Sequence, residues 1–344
     1  MRNRLIRIVF NLALAVVVLS SFTPGFSQDK VGTSAANFLG IAVGARGVAM
    51  GGAYTAVAGD ATSIYWNPGA VSRSEKSYAN FVHTNWFLDT KFNWAGIVLN
   101  FGEASAVGLS FTSLDFGDEP VTTVFSPEGT GDFFSAQDIA AGITYARNLT
   151  DKFSIGGTLK FINQKIFNVS ASAVAVDVGL LFITHFHDIQ LGVSFANLGS
   201  DMELSGKDLL QKVDLDPTAT GNNESIVGLL KTESSSLPVI FRVGVSGDLI
   251  RFRENSRLII SVEATQPNDN SGVVNVGAEL TVNNMFFVRG GYKSLFRDES
   301  EEGLTFGGGL LLNFKNRHSL IFDYAFADFG LLENVQMFSL GVTF

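Results

Sequence analysis

Gly40–Gly69 reads GIAVGARGVAMGGAYTAVAGDATSIYWNPG. It is built chiefly from Gly, Ala and Val, carries one Arg (Arg46) and one Asp (Asp60), and closes on Trp66-Asn67-Pro68. Its small side chains would bury little area as a membrane helix, and Arg46 interrupts the apolar run. The glycines do not form a phosphate loop, because no Lys-[Ser/Thr] follows them and no strand precedes them. After about Ser77 the chain changes to segments alternating apolar and polar residues, the pattern of β-hairpins. Glycine lets a backbone approach a strand wall closely and adopt positive-φ turns. The stretch is therefore expected to be a plug inside a barrel made by the rest of the chain.

The two ends agree with an exported barrel. Arg2, Arg4 and Arg7 precede the apolar run Ile8–Leu19, and Gly25-Phe26-Ser27 supplies small residues for cleavage after Ser27. That run is short for a spanning anchor. Losing the three arginines of residues 1–27 moves the net charge from −9 to −12, which opposes a nucleic-acid partner. The absence of Cys excludes disulfides and thiolate metal sites, and also a lipidated N-terminal cysteine. Beyond residue 27 no uninterrupted apolar run of about 18 residues occurs. An exported, apolar chain without a spanning helix points to a bacterial outer-membrane β-barrel, whose alternation a hydropathy window does not detect. At the other end Phe338, Leu340, Val342 and Phe344 alternate with Ser339, Gly341 and Thr343. This terminal strand resembles the assembly signal of such barrels.

Period-2 segments are expected at about 79–88, 92–101, 105–114, 136–147, 153–166, 172–184, 188–197, 238–249, 257–266, 271–282, 284–294, 303–314, 317–327 and 334–344. Fourteen is an even number, as single-chain bacterial barrels have. Val274, Val276, Ala278 and Leu280 interleave with Asn275, Gly277 and Glu279; Val239, Phe241, Val243 and Val245 with Arg242, Gly244 and Ser246. In a bilayer the apolar set faces lipid, whereas in a soluble barrel it faces inward, and alternation alone does not choose. Loop lengths do. With the first strand starting in the periplasm, every even-numbered connection is short, whereas Asp115–Ser135, Leu198–Leu237 and the acidic Leu295–Glu302 are external. Long outer loops and short inner turns are the outer-membrane arrangement. Within Leu198–Leu237, Lys207–Val213 and Glu224–Lys231 are amphipathic patches that read as helical turns. Trp86, Trp94, Tyr78, Tyr145, Tyr292 and Tyr324 are candidates for the interfacial girdles.

The fold expected is all-β: a 14-stranded antiparallel transmembrane β-barrel with a plug (hatch) in its lumen. Residues 1–27 are the signal peptide, 28–76 the plug and 77–344 the barrel. Arg46 and Asp60 are candidates to tie the plug down, by pairing with each other or with the wall, since an unpaired buried charge is costly. Pro68 restricts Asn67 and ends any helix begun at Thr62 or Ser63. His185 and His187 have the spacing of a metal pair but need ligands from elsewhere; His83 and His318 read as lumen or turn residues. No nucleophile elbow occurs. The reading is of no enzyme, no cofactor and no metal.

The run GARGVAMGGAYTAVAGDATSIYWNPGAV resembles the signature of the PorV/PorQ family of FadL-like outer-membrane barrels. Gly44, Ala45, Arg46, Met50, Gly51, Gly52, Ala53, Tyr54, Asp60, Ala61, Trp66, Asn67 and Pro68 match it, and Gly69-Ala70 stands where the pattern has Ala-Gly. The resemblance implies a fourteen-stranded barrel with an N-terminal hatch. The family's best-known member is a type IX secretion component that collects cargo from the translocon by its C-terminal domain and delivers it to the surface attachment complex. Other FadL-like barrels pass hydrophobic molecules. The expected partners are outer-membrane lipid, with a secretion translocon and cargo C-terminal domains; the alternative is a channel for a hydrophobic ligand. Because the terminal strand is expected to guide assembly, deleting Phe344 should impair membrane insertion. Normal heat-modifiable migration and surface exposure of that variant would contradict the expectation.

Overall fold

The computed structural model describes residues 31–344 except 58, 75, 103, 215–225, 254, 298–299, 315–317 and 333. The expected signal peptide and its cleavage site lie outside the described residues. Fourteen antiparallel strands form the wall: β1 Tyr78–Asn85, β2 Lys91–Phe101, β3 Ser105–Pro120, β4 Phe133–Thr150, β5 Phe153–Ile166, β6 Val169–Ile183 and β7 Gln190–Gly199, then β8 Ile240–Arg253, β9 Ser256–Pro267, β10 Val273–Val282, β11 Phe286–Leu295, β12 Leu304–Asn313, β13 Ser319–Asp328 and β14 Asn334–Thr343. Each pairs with its sequence neighbours, and β1 pairs with β14 from Tyr78 opposite Thr343 to Asn85 opposite Gln336, which closes the ring. Closure removes the sheet edge, the condition for a sheet to stand in lipid. All fourteen strands were legible in the alternation.

Side-chain orientation decides between the two readings of that alternation. On β10, Asn275, Gly277, Glu279 and Thr281 are buried while their apolar neighbours Val274, Val276, Ala278 and Leu280 face out. On β8, Arg242, Gly244 and Ser246 are buried between exposed Val243 and Val245. The polar set lines the lumen and the apolar set faces outward, as a bilayer requires. Phe338 is likewise exposed on the outward face of β14, as is Phe344 just past its end.

The connections also sort by parity. Those after even strands are short, such as residues 151–152, 184–189 and 283–285. The two longest, residues 121–132 and 200–239, leave the opposite end. Strands β3 and β4 have 16 and 18 residues, beyond the roughly 9–11 that cross a bilayer, so this hairpin projects on the long-loop side. At its tip Thr123 and Ser126 bond each other's backbone, leaving Val124 and Phe125 almost fully exposed.

Two expectations need correction. In the long loop Lys207–Leu209 is a single 3₁₀ turn, but Leu210–Val213 then pairs with Ile226–Leu229 as a β-hairpin rather than forming helical turns. Alternating apolar residues in so short a stretch suit either structure, and pairing decided. Of the girdle candidates, Trp94 is buried and Tyr78 packs on the interior cluster, whereas Tyr145 and Tyr292 are exposed. Trp86 meets Phe87 in a tilted contact and Phe329 edge-to-face at the long-loop rim, at ring separations of 4.8 and 5.6 Å.

The sidedness is open to a direct measurement, because the chain has no native Cys. A membrane-impermeant maleimide should label Phe125→Cys in intact cells and Phe186→Cys only after permeabilisation. The reverse pattern would invert the barrel.

Candidate functional site

The segment before β1 runs through the ring from one end to the other. At the long-loop end Ala35 N donates to Ser236 O (2.9 Å) and Ala36 N to Gln164 Oε1 (2.8 Å). At the short-turn end Ser72 Oγ donates to Asn148 Oδ1 (2.7 Å) and Asn100 Nδ2 to Lys76 O (2.8 Å). Between them lie two short helices, α1 Ala45–Ala49 and α2 Ser63–Trp66, and a 3₁₀ run Pro68–Arg73. Their backbone polar groups cannot reach water, so the wall must satisfy them. Ala45 N donates to Ser339 Oγ (2.8 Å), and Thr305 Oγ1 donates to Ala49 O (3.2 Å). Glu263 accepts from both Tyr54 N (2.9 Å) and Thr55 N (2.8 Å).

Glycine sets the approach distance. Gly51 has φ +67°, and a Cβ there would lie 2.8 Å from Val276 O and 2.9 Å from Tyr292 N. Opposite it, a Cβ on Gly277 or Gly291 would collide with the backbone of Met50 and Gly51. Met50 itself is fully buried and packs with Tyr54 and Trp66.

Charge holds the same region. Arg46 makes a two-pronged bond to Glu279, Nε to Oε2 and Nη2 to Oε1, both 2.8 Å. Arg289 grips the same carboxylate at 2.6 Å and Asp323 at 2.5 Å. Arg46 Nη1 donates to Tyr54 Oη at 3.0 Å, and that hydroxyl donates to Asp60 at 2.5 Å. Arg46 and Asp60 are 3.6 Å apart, so the two residues expected to anchor the segment meet each other as well as the wall.

The remaining motif residues close the turn. Asn67 is extended (φ −159°), as a residue before proline must be, and its Oδ1 accepts from Gly69 N at 2.9 Å. Its amide donates to Thr55 O (2.8 Å) and to Leu180 O on the wall (2.9 Å). Trp66 Nε1 donates to Val43 O at 2.8 Å. Gly44 (φ +89°) faces Thr62, leaving no room for a Cβ. The Arg242 guanidinium lies over the rings of Tyr65 and Trp66, at 5.1 and 5.5 Å.

Motif reading found the segment's half of this site and missed the wall's half: Glu279, Arg289, Asp323, Arg242 and Glu263. The available signal was an ionisable residue recurring on the polar face of a membrane strand, which is a functional marker by default. Above the segment a cavity of about 370 Å³ lies towards the long-loop mouth, lined by Ile41, Trp66, Trp86, Arg242, Phe329 and Met337 among others. His185 and His187 are exposed at a short turn, and no group of three metal-ligating residues occurs among the described residues. His83 faces out rather than into the lumen, with Nδ1 2.8 Å from Asn93 Oδ1.

Residues 25–191 match the model of the family described as type IX secretion system protein PorV, a span that includes Gly44–Pro68 and runs to the start of β7. No curated protein matches the sequence. Among solved structures, the chain is similar to a FadL homologue of Pseudomonas aeruginosa (12% identity, TM-score 0.51, covering 88% of this chain and 98% of that one). It is also similar to the CymD monoaromatic hydrocarbon channel (12%, 0.55, 88% and 97%) and to the Pseudomonas putida toluene transporter TodX (13%, 0.51, 88% and 97%). At such identity the likeness is one of fold. The chain thus combines a match to the PorV family model over residues 25–191 with a barrel fold similar to that of FadL-type structures.

If the segment is held as this geometry requires, Gly51→Val should cost roughly 1–3 kcal/mol in backbone strain before any overlap with the wall. Glu279→Ala should cost about 3–5 kcal/mol by leaving Arg46 and Arg289 short of a carboxylate. Both should lower the heat-modification midpoint of the purified barrel and raise its conductance. Gly52→Ala, also at positive φ (+77°) but with its nearest neighbour, Asn275 Nδ2, at 3.5 Å, should carry the backbone strain without the overlap and so do less. Wild-type midpoints and conductance for Gly51→Val and Glu279→Ala would mean that the segment is not tightly packed.

Proposed function

We propose that this chain is a non-enzymatic outer-membrane barrel, exported with cleavage near Ser27, that binds secreted cargo or partner proteins through its external loops in the manner of a PorV-type type IX secretion component. Residues 28–76 act as the plug and residues 77–344 as the barrel. The observation that carries this reading is the contrast between lumen and rim. Inside, the segment is fastened to the wall by buried ion pairs and by close backbone approach, which suits a closed barrel. Outside, the β3–β4 hairpin and residues 200–214 and 226–239 project with exposed apolar side chains such as Phe125, Val227 and Leu229. Large exposed apolar groups beyond what lipid covers mark interaction surfaces. The partners that fit are cargo C-terminal domains and a secretion translocon.

A second reading rests on the cavity of about 370 Å³ above the segment. Its mixed lining and its place in a FadL-like barrel favour a channel for hydrophobic small molecules, as the CymD monoaromatic hydrocarbon channel and the toluene transporter TodX are. The two readings separate on one deletion. The base of the long loop is built into the rim: Met202 and Leu237 are buried and Met202 pairs with Ser235. Replacing residues 207–230 by two glycines should therefore leave the barrel assembled while cargo delivery to the cell surface is lost. Unchanged cargo delivery would count against the partner-binding reading, and bound hydrophobic ligand in the purified barrel would favour the channel.

A further inference from the structure

Leu210–Val213 and Ile226–Leu229 form a two-stranded sheet separate from the barrel, with Leu210 opposite Leu229 and Val213 opposite Ile226. Leu230 N donates to Leu209 O at 2.9 Å, which fixes the phase of the ladder. Bonded and non-bonded pairs alternate along an antiparallel pair. The ladder therefore uses residues 209, 211 and 213 on one strand and 226, 228 and 230 on the other. Leu210 and Lys212, and Val227 and Leu229, aim their backbone N–H and C=O groups away from the hairpin. Among the described residues these outward groups meet no other backbone.

The side chains are as unpartnered as the edges. Leu210, Val227 and Leu229 are 48%, 62% and 60% exposed on one face, and Val213, Ile226 and Leu230 are exposed on the other. A lone two-stranded hairpin is marginal in water. An apolar edge without proline or bulge is a template for another strand, and proteins usually blunt such edges. Here only Lys212 does so. The hairpin is nevertheless held in place. Ser205–Gly206 adds to the end of β6 opposite Val169 and Ser170, Lys207 N donates to Asn168 O (3.2 Å), and Asn168 Nδ2 donates to Asp208 (3.1 Å). The loop already extends the barrel wall by strand addition and then presents a second, open sheet.

Charge selects the occupant. The loop carries Asp201, Glu203, Asp208, Asp214, Asp216, Glu224 and Glu233 against Lys207, Lys212 and Lys231. A second copy of the chain would bring a like-charged loop, which opposes self-pairing, whereas a cationic strand is drawn in. We propose that this hairpin is a strand-addition site that takes one extended, cationic segment of a secreted partner protein as its third strand. Main-chain bonds to the open edge supply affinity, and the apolar side chains on alternate faces supply selection. The inference rests on the partner-binding reading of the loops and names the chemistry of that contact.

The test uses the full-length barrel in detergent and a fluorescein-labelled Lys-Val-Thr-Val-Lys-Val-Thr amide, followed by anisotropy. Proline at an edge-facing position removes one outward N–H and leaves the ladder intact. Lys212→Pro or Val227→Pro, according to the edge used, should weaken binding by roughly tenfold or more. N-methylation of alternate peptide amides should do the same with the wild-type barrel, which keeps the test valid if a proline variant disturbs the hairpin. A peptide with Glu in place of Lys should bind at least as poorly. No binding of the cationic peptide, or equal binding of its N-methylated form, would overturn the strand-addition site. Cargo delivery that survives in the double-proline variant but fails on removal of residues 207–230 would overturn it too, while leaving the partner-binding reading in place.

Discussion

The carboxylate of Glu279, buried between the guanidinium groups of Arg46 and Arg289, is the interaction on which the interior depends. A charge in the lumen of a lipid-embedded ring is tolerable only when paired and hydrogen-bonded. One acid and two bases would leave a surplus positive charge. Asp323 on the far side of Arg289 and Asp60 beside Arg46 more than offset it, so that three carboxylates face two guanidinium groups. The result is a chain of charges that begins on the segment, crosses to β10 and continues across β11 to β13. Removing Glu279 takes a carboxylate from both guanidinium groups at once, so the segment and the wall are held as a unit.

That constraint explains the composition of both surfaces in contact. A segment enclosed by strands must give its backbone hydrogen bonds to the wall, and to do so it must come close. Small residues on the segment and glycines at Gly277 and Gly291 on the wall supply the clearance. Side chains with specific donors then fix position along the axis: Asn67 to Leu180 low in the barrel, Glu263 to Tyr54 and Thr55 higher up. The segment is therefore bound at several depths, and its two ends are tied to opposite rims.

The strands were readable because a two-faced wall imposes period two, and the turn parity followed from the order of long and short gaps. Arg46 and Asp60 were readable as anchors because they are the only charges in Gly40–Gly69. Their partners were not, since which strand lies opposite Arg46 depends on the shear of the closed ring, and no local pattern reports shear. Glu279 stood in the polar set of β10, but nothing near it in sequence pointed to residue 46. Nor did the sequence separate a hairpin from helical turns at Leu210–Leu229, where the pairing partner stands more than a dozen residues away along the chain.

The Gly44–Pro68 motif and the loop hairpin consequently answer to different physics. Gly44, Arg46, Gly51, Asn67 and Pro68 are fixed by clearance, charge balance and backbone satisfaction inside a ring, and any barrel filled in this way would need similar residues whatever it bound. The loop hairpin is free of those demands: its ladder needs only pairing, and its side chains are exposed on both faces. A surface released from packing constraints yet kept apolar is difficult to account for by folding alone. The motif thus identifies how the barrel is filled, and the distinguishing chemistry of this chain lies at the rim, where the sheet continues past the membrane and ends with its backbone groups turned outward.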